Sequence, residues 1–142
     1  MLTTLTQVHL NYWAILVGGV ITMALGMIWY GPATFGKLWM QWNGLTDADM
    51  TASKDNVGML YFIQFIASLV MIYVLAHFVK FFGVTDLSGA WMLGFWIWLG
   101  FLVAGSAGIY IFPPKRWELF LFDASYKLVS IVLVAWLLAV WH

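Results

Sequence analysis

Four apolar runs dominate the chain, at about residues 12–31, 59–82, 90–112 and 119–141. A helix needs about 20 mostly apolar residues to cross the hydrocarbon core of a bilayer. In lipid every backbone N–H and C=O has to be satisfied inside the chain, so runs of this kind fold as helices. Punctuation separates them: Gly31-Pro32 closes the first, Gly83 the second and Pro113-Pro114 the third. Proline lacks a donor and clashes with the preceding turn, so a double proline is a strong stop. Composition agrees, with 64% of residues hydrophobic and 8% charged, against about 25% charged in a soluble domain. The expectation is an all-α integral membrane four-helix bundle, one domain over residues 1–142. Six Lys/Arg balance six Asp/Glu, which gives no electrostatic case for nucleic acid as a partner. The absence of cysteine removes disulfides, thiolate metal sites and thiol redox chemistry.

The first run has no Lys or Arg before Lys37 and no small-residue cleavage pattern after it, so it reads as a retained helix rather than a signal peptide. Four spans put both termini on one side. Lys37, Lys54, Lys115 and Arg116 lie in the two loops of the other side, against Lys80 alone. Basic residues stay on the side of synthesis. Both termini are therefore expected outside. The rings of Trp29, Tyr30, Trp39, Trp42, Tyr61, Tyr110 and Trp117 fall near one boundary, and those of Tyr12, Trp13, Trp91 and Trp141 near the other, as interfacial belts do.

The loop after the first span carries a pattern of its own. Phe35, Leu38, Trp39 and Trp42 follow the i, i+3, i+4, i+7 spacing of an amphipathic helix, with Asn43-Gly44 as its stop. A short interfacial helix is expected there, lying along the membrane surface. Thr46, three residues before Asp49, has the form of a helix-capping start, which predicts a second short polar helix through about Lys54.

Lipid gives helices no hydrophobic drive to associate, so small residues mark the faces where backbones approach. Ala14, Gly18, Thr22 and Gly26 are spaced by four on the first span, and Gly100, Ala104 and Gly108 on the third. Both stripes are expected at helix–helix contacts, against each other or against a second copy in a homo-oligomer or larger membrane complex.

The polar groups gather toward the loop side. Asp123 and Lys127 lie four apart on the fourth span, acid first, the better order for a helical ion pair. Charges at that depth are costly unless paired, snorkelling or facing a polar cavity. One reading is a self-neutralising intrahelical pair. The other is a polar pocket in which Asp123, Lys127 and Tyr126 meet Tyr30 of the first span and Tyr61 and Gln64 of the second. His9, His77 and His142 share no metal-ligand spacing, and no metal or cofactor is expected. No nucleotide, nucleophile-elbow or zincin motif occurs, and no nucleophile has a base beside it, so no catalytic residue is assigned.

Gly26-Met27-Ile28-Trp29-Tyr30-Gly31-Pro32, followed by Phe35-Gly36-Lys37-Leu38-Trp39, resembles the small bacterial membrane proteins of domain of unknown function 1761. Gly44-Leu45-Thr46, Trp98-Leu99-Gly100-Phe101 and the polar start of the fourth span fit the same resemblance. It implies a four-helix domain in a bacterial cytoplasmic membrane, and no activity. The reading is an accessory, lipid-binding or ligand-binding membrane subunit. The alternative is a small oligomeric transporter or channel using the pocket around Asp123 and Lys127. Small multidrug exchangers carry an acid deep in their first helix, and residues 12–31 contain none.

Overall fold

The computed structural model describes residues 9–52, 56–112 and 115–141. The chain is all-α. Helix α1 covers Tyr12–Trp29, α2 Gly36–Asn43, α3 Asp47–Ala52 and α4 Val57–Phe81. Helix α5, Leu87–Ile97, runs through a π-helical stretch, Trp98–Val103, into α6, Ala104–Ile111. Helix α7 covers Trp117–Val140. Four of these units are long and apolar enough to cross a membrane: α1, α4, the continuous Leu87–Ile111 and α7. They are called the first to fourth spans below.

Local chemistry sets the ends. The Asn11 side chain accepts from Trp13 N (3.1 Å) and Ala14 N (3.2 Å), covering donors that the first turn of α1 leaves free. The Ile28 carbonyl at the other end of α1 is met by the Thr34 hydroxyl, which donates to it. Asp86 caps α5 through Gly89 N at 2.8 Å. Gly44 ends α2 with φ +67°, and the Gly44 and Leu45 amides donate back to Gln41 and Met40. That is the double bond pattern for which a left-handed glycine is the favoured residue. Thr46 and Asp49 cap α3 reciprocally: Thr46 N and Oγ1 donate to Asp49 Oδ2 at 2.8 and 2.6 Å. The predicted end of that helix at Lys54 lies outside the described residues, as do Pro113-Pro114 and His142.

The first span packs on the second and fourth, and the third packs mainly on the fourth. The closest packing is confined to the half nearer the chain termini. Its members are Ala14 and Ile15, Ile72, Leu75, Ala76 and Val79 of α4, Ala90, and Ile131, Val134, Ala135, Leu138 and Ala139 of α7. Small residues bring the backbones together. A Cβ at Gly18 would meet Val134 Cγ1 at 3.3 Å and Ile72 Cγ2 at 3.4 Å, so Gly18 sits where three spans join. A Cβ at Gly94 would meet Val132 Cγ2 at 3.0 Å. Large apolar side chains such as Phe62, Ile63, Val70, Trp96, Phe101 and Ile109 point outward, an arrangement suited to acyl chains and not to water.

The two small-residue stripes fare differently. Ala14, Gly18 and Thr22 are buried and Gly26 is half-buried. Gly100, Ala104 and Gly108 are exposed, and a Cβ at Gly100 or Gly108 would meet nothing. Within this chain the expected contact between the stripes is not made. The third span instead turns inward the face through Ala90, Gly94, Trp98, Leu102 and Tyr110. In α6, at 3.6 residues per turn, the two-residue offset between Gly108 and Tyr110 is about 200° around the axis. The exposed stripe is therefore on the far side.

Candidate functional site

At the loop end the spans are less tightly filled, and a cavity of about 660 Å³ opens between the first, second and fourth. Thr22, Met23, Gly26, Met27 and Tyr30 come from α1, and Tyr61, Gln64 and Ser68 from α4. Asp123, Tyr126 and Lys127 come from α7, and Trp39 of α2 closes one side. Tyr30, Tyr61, Gln64, Asp123, Tyr126 and Lys127, the six polar residues singled out from the sequence, thus all line one cavity. Tyr61 and Gln64 are exposed and stand at the open side, whereas Thr22 and Ser68 are buried in the wall.

The roof is an aromatic cluster. Phe122 lies 5.4 Å from Tyr30, 5.8 Å from Trp42, 5.9 Å from Phe35 and 6.0 Å from Trp29, centroid to centroid. Tyr30 also meets Trp39 edge-on at 5.8 Å. These rings dock α2 onto the ends of α1 and α7, so Trp39 and Trp42 face the bundle while Leu38 is exposed. Such edge-to-face pairs add about 0.5–1.5 kcal/mol each beyond area burial. The docking needs Gly36: a Cβ there would lie 2.6 Å from the Gly31 carbonyl oxygen, and Gly36 N donates to that oxygen at 2.9 Å.

Asp123 is the polar centre. Tyr30 donates its phenol O–H to Asp123 Oδ1 at 2.6 Å, and Tyr110 of the third span donates to Oδ2. The carboxylate thereby joins three spans. Among the described residues Lys127 is not within ion-pairing distance of any carboxylate, and the ion pair present is Arg116–Glu118 at 3.5 Å on the surface. The intrahelical Asp123–Lys127 pair is replaced by a tertiary one. Two rigid phenols on neighbouring helices reach the carboxylate and satisfy one oxygen each.

Two more bonds fix the walls. Trp98 Nε1 donates to the Ala124 carbonyl at 2.7 Å, and Tyr126 donates to the Thr22 carbonyl at 3.1 Å. The Thr22 hydroxyl itself is buried without a hydrogen-bond partner among the described residues. Tyr110 and Trp98 were outside the six sequence candidates. Their signal was present as the four-residue ladder Ala90, Gly94, Trp98, Leu102, Ser106 and Tyr110, in which the indole and phenol mark the inward face.

The histidines stand apart. His9 is exposed, and His77 is bonded to its own helix, Nδ1 lying 2.9 Å from the Tyr73 carbonyl oxygen. No group of His, Asp and Glu among the described residues could hold a metal ion.

No curated protein and no solved structure matches the chain. Residues 13–139 match the family model described as "Protein of unknown function (DUF1761)". This multi-span helical membrane protein therefore belongs to the DUF1761 family.

Proposed function

We propose that the protein binds an amphiphilic ligand, a lipid or lipid-like molecule, in the cavity at the loop end of the bundle. The observation that carries this reading is the cavity's lining. Methionines 23 and 27 supply adaptable apolar surface, and a set of polar side chains from three spans converges on the same space. Ligand sites are concave, largely apolar and furnished with a few convergent polar groups. The volume of about 660 Å³ is that of a small-molecule site. The loops beside the cavity hold Lys37, Lys115 and Arg116, which supports a cytoplasmic opening, termini outside, in a bacterial cytoplasmic membrane.

Filling the cavity tests the reading. Gln64→Trp, at an exposed position on the open side of the cavity, should evict the ligand while leaving the terminal-half core untouched. Lipid extracted per mole of washed protein should fall severalfold relative to the parent. Equal lipid content in the two proteins would dismiss the proposal.

A second reading, a transporter working as an oligomer, is supported by the exposed face through Gly100, Ala104 and Gly108, where another helix could approach closely.

A further inference from the structure

The charges in the cavity are not equivalent. Asp123 has both oxygens engaged by the phenols of Tyr30 and Tyr110. Tyr126 gives its proton to the Thr22 carbonyl. Lys127, Gln64 and Tyr61 line the same space, and none of their side chains has a partner among the described residues. The groups left uncommitted are thus one cation, one amide and one phenol; each can donate, and Lys127 can only donate.

Depth makes the cation decisive. Lys127 is ten residues after Trp117 in a 24-residue helix, which at 1.5 Å per residue places its Cα about 15 Å along the span. A lysine that far in is costly without a counter-charge or a polar cavity. The nearest acid in sequence, Asp123, keeps its charge but has both oxygens engaged by phenols, and among the described residues it makes no ion pair with Lys127. The buried Thr22 hydroxyl, without a partner in the same wall, is a second unsatisfied group at this level.

Resting on the amphiphile-binding reading, we infer that the ligand carries an oxyanion head, a carboxylate or a phosphate, seated against Lys127. Gln64 and Tyr61 donate to its remaining oxygens, and its acyl tail runs past Met23 and Met27. Charge-assisted bonds to such oxygens are the stronger class, and the planar or tetrahedral head offers several acceptors to several donors.

The test compares ligands that differ in the head alone. Delipidated protein in neutral detergent is offered palmitate or hexadecanol, and dioleoylphosphatidate or dioleoylglycerol, and retention is read by native mass spectrometry. The parent should retain the charged member of at least one pair about tenfold better, the effect of one charge-assisted hydrogen bond. The pair that discriminates identifies the head. Lys127→Met should abolish the preference and Lys127→Arg should keep it. If the parent retains acid and alcohol equally, the oxyanion inference fails while amphiphile binding stands. If it retains none of the four and inorganic phosphate leaves its melting temperature unchanged, both fail. Inorganic phosphate that raises the melting temperature of the parent but not of Lys127→Met, with no lipid retained, would overturn the acyl tail and leave the oxyanion at Lys127.

Discussion

The phenol of Tyr30 donates to Asp123 across 93 positions of sequence, and the bond length is 2.6 Å. It ties the end of the first span to the fourth at the point where the cavity, the aromatic cluster and the third span meet. A carboxylate held in this way should behave as part of a tertiary unit. Removing the Tyr30 hydroxyl with Tyr30→Phe should cost about 1–3 kcal/mol, the penalty for a broken charge-assisted bond. In a double-mutant cycle with Asp123→Asn, followed by melting in detergent, Tyr30 should show a coupling of about 0.5–3 kcal/mol. Lys127→Met in the same cycle should show less. Equal coupling to Lys127 would restore the intrahelical pair.

The small residues of the first span should be sensitive to size, and those of the third should not. Gly18→Leu drives a side chain into Val134 and Ile72 and should cost about 1–3 kcal/mol. Ala104→Leu adds bulk to an exposed face and should fall within about 0.5 kcal/mol of the parent. Both are read as melting temperature in the monodisperse detergent-solubilised protein. A large loss at Ala104 would mean that another chain covers that face.

Gly36→Ala should release α2 from the bundle, because the added methyl collides with the Gly31 carbonyl and not with a movable side chain. A single cysteine at Met40, half-buried in the docked helix, should then react faster with a maleimide. The chain has no native cysteine to confuse the signal. An unchanged labelling rate would show that α2 docks without the close backbone approach.

The cap of α3 should depend on pH. The Thr46 hydroxyl, first, and the Thr46 amide hold the Asp49 carboxyl below its ordinary value. A depressed folded value means that the cap's contribution is present above the ordinary carboxylate pKa. It is lost as pH falls through the depressed one. Thr46→Ala should move the Asp49 titration upward, as followed by side-chain carboxyl carbon resonances. A midpoint that stays put would mean that the hydroxyl is not the cause.

Orientation has its own check. With the termini outside, a cysteine at His9 should react with an impermeant maleimide on intact cells, and one at Asp47 only after the membrane is opened. The reverse pattern would invert the proposed topology.

The spans, the short helix after the first and the Thr46 cap were legible in the sequence because each rests on a pattern within one continuous stretch of chain. Hydropathy, punctuation and capping chemistry are local causes. The inward face of the third span is not local. Ala90 and Gly94 offer one small-residue face, and Gly100, Ala104 and Gly108 offer another almost opposite. The choice is made where Trp98 finds the Ala124 carbonyl and Tyr110 finds Asp123, bonds that exist only after the fourth span has docked. The same holds for Asp123. The i, i+4 rule sees Lys127, while the phenols that capture the carboxylate lie 93 and 13 positions away.

The dense core occupies the terminal half of the helices and the cavity the loop half. One set of helices thus answers to two masters along its length. The glycines and alanines near the termini pack the core, while the loop half is tied to it by the Tyr30 and Tyr110 bonds to Asp123 and the Tyr126 bond to Thr22. The part of the cavity wall outside those bonds, at Tyr61 and Gln64, can therefore be rewritten, by selection or by design, with little consequence for folding.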